Sequence, residues 1–344
     1  MSRMMAEIQE QPEALRRTFE AERAHALDFK KFAADRDFGL IVLVARGTSD
    51  NAALFGRYLL EIATGIPVSL CAPSVHTLYH ARLNFRRTLM IGISQSGAGT
   101  DINLVLKNAR KQGAFTVAIT NEAKSEMTHV AEETFLARAG KQRPVAATKT
   151  YTSQLMILYL MAFALGKQID LNSVSEISGR VRETLKLKAE IRAMAQRYRY
   201  MRQCAVVARG LNYANAFELS LKLMETCYIV AERFSSADFL HGPIAMIERD
   251  FPVILFAPQG KTFAGQRQLA KRLAGLHAET ITITSADASL PGTTRTIRVP
   301  GKIPEIYSAI PYVVPGQLFA ARLAEVKGLD PDRPRSLKIV TQTL

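Results

Sequence analysis

Short apolar runs alternate along this 344-residue chain with longer segments in which apolar residues recur at helical spacing. After a helical segment at residues 1–37, each short run is long enough for one buried strand and is followed by a turn. The runs predict strands at residues 40–45, 67–71, 89–93, 115–120 and 133–137. Strands and helices in this alternation predict an α/β fold with a parallel sheet that helices cover on both faces.

The same pattern restarts after a Lys-, Arg- and Glu-rich helical segment at residues 170–200. Further strands are predicted at residues 204–208, 253–257, 280–284 and 294–299. Ala45-Arg46-Gly47 ends the first strand of one half, and Ala208-Arg209-Gly210 ends the first strand of the other. The chain is therefore predicted to be an internal repeat of two tandem α/β domains.

The repeat also predicts the domain boundaries. We expect an N-terminal helical segment at residues 1–37, a first domain at 38–168, a helical connector at 169–201, a second domain at 202–328, and a C-terminal tail at 329–344 that closes over the site.

The serine turn (residues 94–100) follows the strand at residues 89–93 and precedes a helix. Its sequence is Ser94-Gln95-Ser96-Gly97-Ala98-Gly99-Thr100. Glycines allow close backbone approach, while hydroxyls and the N–H groups of a helix start are donors for a phosphate. The turn has no lysine and no G-x-x-x-x-G-K pattern, which favours a single phosphate, as on a sugar. An ordinary turn with a helix cap is the alternative.

The second half has Ala257-Pro258-Gln259-Gly260 at the corresponding place. The hydroxyls are missing there, and proline has no N–H to donate. We therefore expect only the first half to bind phosphate. The second half is then free to bring other chemistry to the same ligand, at the carboxyl ends of the strands.

The helix predicted at residues 213–230 carries Glu218, Lys222 and Glu225 on one narrow stripe. Pairing on the protein surface is one explanation, since Glu four residues before Lys is a common helix support. Apolar residues cover almost all of the remaining circumference, which indicates a buried helix whose charged stripe faces a cavity or an interface. A partly buried glutamate near a lysine is a plausible general base.

Histidines offer further candidates. His241 precedes Gly-Pro in a loop, where it is either a proton carrier or a turn residue. His76 and His80 have the spacing of a helical metal pair, but the H-E-x-x-H glutamate and a third ligand are missing. We interpret these two as structural or substrate-side residues and expect no metal. Lys338, near the C-terminus, is by default an ordinary surface lysine.

Composition and charge exclude several classes of protein. The formal net charge is +14, but the basic residues are dispersed and no nucleic-acid-binding signature is present. Dispersed charge is typical of a solvated surface and can attract an anionic substrate. Cys71, Cys204 and Cys227 are far apart, which indicates reduced thiols and a cytoplasmic protein. The longest apolar run, residues 155–165, is too short to span a membrane.

Taken together, the motifs resemble the double sugar-isomerase (SIS) domain family. The resemblance covers nearly the whole chain and is strongest to the isomerase half of glutamine–fructose-6-phosphate aminotransferase and to the glucosamine-6-phosphate deaminases of the same fold. The matching motifs lie at residues 5–12, 47–49, 94–97, 145–150, 218–225, 241–243 and 332–337.

The resemblance implies a role for each candidate residue. Ser49, Ser94, Gln95, Ser96 and Thr100 would hold the sugar phosphate, Val145 and Ala146 would supply sugar-facing backbone, and Thr48, Glu218 and Lys222 would complete the substrate-binding set. Glu225 would move a proton between C1 and C2. His241 would help to open the sugar ring from the partner subunit, which implies a homodimer. No cofactor is implied.

Two departures from the transferase pattern stand out. The serine turn continues with Ala98-Gly99-Thr100 where the transferases have Glu-Thr-Ala. Lys338 falls about one residue from the C-terminal lysine that forms a Schiff base in the family, and Ile339 is the other candidate for that position. We nevertheless take Lys338 as a third catalytic candidate.

The resemblance also predicts the reaction. Aminotransferases of the family carry a glutaminase domain, whereas this sequence begins almost directly at the isomerase half, so we expect no use of glutamine. The expected reaction converts glucosamine 6-phosphate and water into fructose 6-phosphate and ammonia. The alternatives are an isomerase or deaminase of another phosphosugar, such as a galactosamine or fructosamine phosphate, an ammonia-dependent glucosamine-6-phosphate synthase, and a non-catalytic sugar-phosphate sensor.

Overall fold

The computed structural model describes residues 1–288 and 290–337. It divides into two compact units, each built on its own five-stranded parallel sheet. One unit consists mainly of Glu10–Gln142 and Ala147–Glu176, and the other of Met1–Gln9, Arg143–Ala146 and Ile177–Ser336. The predicted α/β fold with two repeats is therefore confirmed.

The first sheet is made of β1 (Leu40–Val44), β2 (Val68–Leu70), β3 (Thr88–Ser94), β4 (Phe115–Thr120) and β5 (Glu133–Leu136). Its strand order is β2-β1-β3-β4-β5, and every pair is parallel. The helices of this part of the chain are α1 (Arg3–Ala34), α2 (Thr48–Thr64), α3 (Pro73–Thr77), α4 (Thr100–Lys111), α5 (Glu126–Val130), α6 (Lys149–Leu165) and α7 (Leu171–Ser175).

Strand β3 lies at the centre of the first sheet, and all seven of its residues are buried. Its apolar run has no polar alternation because helices cover both faces of a parallel sheet. Gly92 lets α4 approach closely, since a Cβ at this position would press into the Leu106 side chain. This close packing holds α4 against β3, the strand that leads into the turn.

The second sheet is made of β6 (Gln203–Ala208), β7 (Val230–Ser235), β8 (Pro252–Ala257), β9 (Glu279–Ser285) and β10 (Arg295–Val299). Its order is β10-β9-β8-β6-β7, again with parallel pairs. The helices are α8 (Ile177–Thr184), α9 (Lys188–Arg197), α10 (Tyr213–Cys227), α11 (Ser236–Leu240), α12 (Phe263–Gly275) and α13 (Ala309–Val326), with short 3₁₀ turns at Pro243–Met246 and Glu305–Tyr307.

Both sheets share one topology. In each, the second strand pairs on one side of the first strand and the third strand pairs on the other side. The chain connections therefore change direction between β1 and β3, and again between β6 and β8. Ligands of open α/β sheets bind outside the carboxyl ends of the strands at such a switch point.

Strand β7 was not predicted from the sequence, and the helix predicted to reach residue 230 ends at Cys227. Tyr228 ends the helix in the left-handed conformation, with φ of 54°. Strand β7 is an edge strand with a mixed pattern of exposure, so it lacks a continuous apolar run. Within the described residues, no helix is long and apolar enough to cross a lipid bilayer.

Candidate active site

The serine turn connects the end of β3 at Ser94 to the start of α4 at Thr100, which confirms the predicted order of strand, turn and helix. Gly97 has a φ of 61°, a left-handed conformation that favours glycine. A Cβ at Gly97 would also overlap the side chain of Ser125. The turn therefore depends on glycine at this position for two independent reasons.

Two carbonyl groups of the serine turn accept hydrogen bonds from neighbouring elements. The Gln95 carbonyl accepts a hydrogen bond of 3.1 Å from the Asn121 backbone N–H. The Gly97 carbonyl accepts from the Met127 N–H at 3.1 Å and from Asn103 Nδ2 at 3.2 Å. Because a trans peptide is planar, the Ser96 N–H points opposite to the anchored Gln95 carbonyl. This N–H is thus fixed in direction before any ligand binds.

Two hydroxyls stabilise the turn from within. Ser94 Oγ accepts a hydrogen bond from the Gly97 N–H at 3.1 Å, and Ser96 Oγ accepts from the Ala98 N–H at 3.3 Å. A serine hydroxyl that accepts one bond keeps its own proton for donation. Both side chains can therefore hold the turn and still donate to an anion.

The loop after β1 lies on the other side of the first switch point. Arg46 Nε is 2.7 Å from Asp101 Oδ2, and the Asp101 side chain is only 2% exposed. Ser49, in the first turn of α2, accepts a hydrogen bond of 2.9 Å from Gln154 Nε2 on α6. Thr48 is the first residue of α2. The two loops that flank the switch point are thus joined by an ion pair.

Helix α10 carries the charged row (Glu218, Lys222 and Glu225). Lys222 Nζ lies 2.7 Å from Glu225 Oε2 and 3.5 Å from Glu218 Oε1. The side chains of Glu218 and Lys222 are fully buried, and that of Glu225 is 17% exposed. Glu218 and Lys222 are therefore buried, as expected of this helix, while the prediction that the stripe faces a cavity or an interface stays a prediction.

Burial opposes the charge on the Lys222 amine, but the carboxylates of Glu218 and Glu225 outweigh burial and raise the pKa of Lys222. The amine therefore stays protonated throughout the physiological pH range. Its hydrogen bond to Oε2 fixes the carboxylate of Glu225. A carboxyl group held at the partly exposed end of a buried row is placed for proton transfer.

The remaining candidates are placed as follows. His241 follows α11, is exposed in the single chain, and donates its backbone N–H to the Asp238 carbonyl at 3.0 Å. Val145 and Ala146 lie in the loop before α6, where Ala146 is fully buried. Lys338 lies outside the described residues. The contribution of His241 to a partner subunit stays a prediction.

The two other histidines do not share a helix. Helix α3 ends at Thr77, and His80 follows it with a left-handed φ of 49°. His76 is buried and stacks on Phe85, and this burial lowers its pKa. In residues 1–288 and 290–337, no three His, Cys, Asp or Glu side chains are grouped so that they could hold a metal ion.

The predicted residues fall into two groups, one in each unit. Thr48, Ser49, Ser94, Gln95, Ser96 and Thr100 lie at the carboxyl ends of β1 and β3, while Glu218, Lys222 and Glu225 share one face of α10. Sequence reasoning missed Arg46, Asp101 and Gln154. The repeated Ala-Arg-Gly triplet was an available signal for Arg46, but the partners of these residues are distant in sequence.

With this geometry in hand, comparisons with known proteins identify the family. A model of the SIS domain matches residues 37–164 and again residues 199–325. The chain belongs to the SIS domain family. The resemblance inferred from the motifs is therefore confirmed, and both repeats of this SIS protein are members.

Known relatives agree with this assignment. Glutamine–fructose-6-phosphate aminotransferase (isomerizing) of Pyrococcus horikoshii is 36% identical over 345 residues, which are 97% of this chain and 56% of that protein. The chain spans about half the length of the curated relatives it matches.

Solved structures agree as well. The C-terminal domain of glucosamine-fructose-6-phosphate aminotransferase from Francisella tularensis superposes with a TM-score of 0.86 at 26% identity, covering 96% of this chain and 98% of that one. Glucosamine-6-phosphate deaminase from Thermotoga maritima has a TM-score of 0.80 at 20% identity and covers 99% and 100% of the two chains. The second likeness shows the shared fold.

Proposed function

We propose that this SIS protein isomerises a phosphorylated amino sugar with loss of ammonia, converting glucosamine 6-phosphate and water into fructose 6-phosphate and ammonia. The observation that carries the proposal is the charged row, in which buried Lys222 holds the carboxylate of Glu225 at 2.7 Å. Relatives over the matched length are named as isomerising proteins that act on fructose 6-phosphate, which supports a substrate of this class.

The serine turn supports the phosphate end of the proposal. The backbone N–H of Ser96 is fixed in direction, and Ser94 and Ser96 keep hydroxyl protons that they can donate. Thr100 begins α4, whose N-terminus favours a negative charge. We assign the phosphate of the sugar to this turn, with Ser49 and Thr48 from the facing loop.

Glu225 supplies the proton transfer in this proposal. The open-chain aldehyde form of the amino sugar loses its C2 proton to Glu225 while its C1 oxygen takes a proton from water, which gives an enolamine. Glu225 returns its proton to C1, the nitrogen releases a proton to water, and an imine remains at C2. Water adds to this imine, the C–N bond breaks, and ammonia leaves with fructose 6-phosphate as the other product. Lys222 donates to Oε2 of Glu225, and in this proposal Oε1 takes the C2 proton.

His241 opens the sugar ring in this proposal and belongs to the partner subunit of a homodimer. Its exposure in the single chain supports a role outside its own core. Cys71, Cys204 and Cys227 are all free thiols, which supports a reducing, cytoplasmic location.

Ammonia release from the purified protein tests the proposal. Glucosamine 6-phosphate should release ammonia, and galactosamine 6-phosphate and N-acetylglucosamine 6-phosphate are assayed alongside to define the sugar. Glu225→Gln should lower turnover by roughly 10²–10⁴-fold, the usual contribution of a general base, while fructose 6-phosphate still binds in calorimetry.

Glu248→Gln is the matched control, because Glu248 is an exposed glutamate of the same unit. It should leave turnover unchanged. Absence of ammonia from every amino sugar, together with tight phosphosugar binding, would overturn the proposal in favour of a sensor. Full activity of Glu225→Gln would remove Glu225 from the mechanism.

A further inference from the structure

The second sheet has a crevice at its own switch point, with a volume of about 370 Å³. It lies at the carboxyl ends of β6, β7 and β8. Its walls include Arg209, Ser236, Leu240, Lys261, Thr262 and Arg272. We propose that this cationic crevice binds a small phosphate-bearing metabolite, in addition to the phosphate assigned to the serine turn.

Topology gives the first support for this site. Arg209 follows β6, and Lys261 and Thr262 follow β8, so these residues flank the second switch point. The equivalent loops of the first sheet are those of Arg46 and of the serine turn. The crevice therefore occupies the position in which open α/β sheets bind ligands.

Charge gives the second support. Among the residues that the structure describes, three cationic side chains line the crevice and no acidic side chain does. Arg209 is oriented by a hydrogen bond of 2.9 Å from Nη1 to Ser235 Oγ. In the part of the chain that the structure describes, Arg209, Lys261 and Arg272 form no ion pair. Cations that converge on one cavity repel each other, and an anion in the cavity removes this repulsion.

The counterpart turn (residues 257–262) already holds an oxyanion of the protein itself. The Glu305 carboxylate accepts hydrogen bonds from Thr262, through Oε2 from the backbone N–H at 3.4 Å and through Oε1 from the hydroxyl. Gly260 makes this approach possible, because a Cβ there would overlap the Glu305 side chain. The turn itself is filled, so a ligand phosphate would be held by the cations beside it.

The size and the walls of the crevice indicate the kind of ligand. A volume of this order lies within the range of small-molecule sites, roughly 300–1,000 Å³. Leu240 and Leu269 add apolar wall next to the cations. A phosphate group with a small carbon body fits this combination of charge and apolar surface.

Binding measurements on the full chain test the site. Ser96→Ala weakens the phosphate position of the serine turn, so the second site is measured in this variant. Inorganic phosphate and glucose 6-phosphate are titrated by calorimetry at low ionic strength, where exposed charges act most strongly. We expect saturable binding with a dissociation constant of about 1 mM or below.

Charge variants assign the binding to the crevice. Arg272→Gln and Lys261→Gln should each weaken binding by about fivefold or more, the usual effect of losing one charge-assisted contact. Lys271→Gln removes the same charge from the neighbouring position of α12, which does not line the crevice, and should change affinity by less than about twofold. Glu305→Gln should tighten binding, because it removes the negative charge at Thr262.

The binding data identify the ligand or disprove the site. Tighter binding of glucose 6-phosphate than of inorganic phosphate would identify a phosphate ester as the ligand, and equal affinities would identify free phosphate. The site is disproved by a lack of saturable binding, or by equal weakening in Arg272→Gln, Lys261→Gln and Lys271→Gln. These measurements need no turnover, so they are independent of the proposed reaction.

Discussion

Arg46 Nε lies 2.7 Å from Asp101 Oδ2, and this ion pair joins the loop after β1 to the first turn of α4. Asp101 is buried, and its other carboxylate oxygen accepts a hydrogen bond of 2.9 Å from the Ile102 N–H. One carboxylate thus stabilises both the helix start and the relative position of the two loops that border the serine turn.

Asp101→Asn should therefore lower the free energy of unfolding by about 1–2 kcal/mol, because a buried charge-assisted hydrogen bond is lost. It should also raise KM for the phosphosugar more than it lowers kcat. Urea denaturation and steady-state kinetics measure the two effects. Asp37→Asn is the control, because Asp37 forms its ion pair with Arg87 on the surface, where the Asp37 side chain is 81% exposed. This substitution should lower the free energy of unfolding by less than about 0.5 kcal/mol. Equal losses in both variants would contradict this account.

The two glycines of the serine turn should respond differently to alanine. Gly97→Ala places a side chain at a left-handed φ and against Ser125. We therefore expect the free energy of unfolding to fall by about 1–3 kcal/mol and phosphosugar binding to become much weaker. Gly99 has a φ of −68°, and a Cβ there would make only ordinary contacts. Gly99→Ala should change the free energy of unfolding by less than about 1 kcal/mol. Thermal unfolding of the pair measures the difference, and similar melting temperatures would refute it.

Removal of Lys222, the central cation of the charged row, should destabilise the folded protein. Lys222→Met removes the cation that the buried carboxylate of Glu218 shares with the partly exposed carboxylate of Glu225, and we expect the free energy of unfolding to fall by about 3 kcal/mol. Adding Glu218→Gln to this variant should recover part of the loss, because one buried negative charge is then absent. Lys186→Met, which breaks an exposed pair with Glu183, is the control. Strictly additive effects in a double-mutant cycle would show that the row is not coupled.

His25 should make stability depend on pH. Its hydrogen bond with Glu22 at 3.2 Å raises the pKa of His25, with a second contribution from Glu133 at 3.0 Å. A raised pKa in the folded state means that stabilisation is complete below the unfolded value of about 6.5 and is lost as pH rises through the folded value. His25→Gln should therefore destabilise the protein more at acidic than at alkaline pH, by roughly 0.5–1 kcal/mol. His129→Gln, at an exposed histidine of α5, should show no such difference in urea denaturation.

Much of the fold could be predicted because buried parallel strands leave continuous apolar runs. Strands β4 and β8 were located to within one residue for this reason. Strand β7 has two buried positions and one half-buried position and lies at an edge, so neither an apolar run nor strict alternation marks it. The end of α10 was misplaced because Tyr228, rather than a glycine, adopts the left-handed conformation there.

The candidate site could be predicted where its residues are close in sequence. The serine turn and the charged row are local patterns, so spacing alone grouped their members. The pairs Arg46–Asp101 and Ser49–Gln154 join residues that are far apart in the chain, and no local pattern could reveal them. Exact loop geometry is likewise not encoded in any short motif.

The Glu305 carboxylate in the counterpart turn also has a consequence for redesign of the second half. Introducing a Ser-Gln-Ser-Gly motif at residues 257–260 would add donors, but the resident carboxylate would still repel an incoming phosphate. Deleting the carboxylate alone would leave a turn that has proline and no serine. A phosphate site in this turn would therefore require both changes together, because either change alone leaves one obstacle in place.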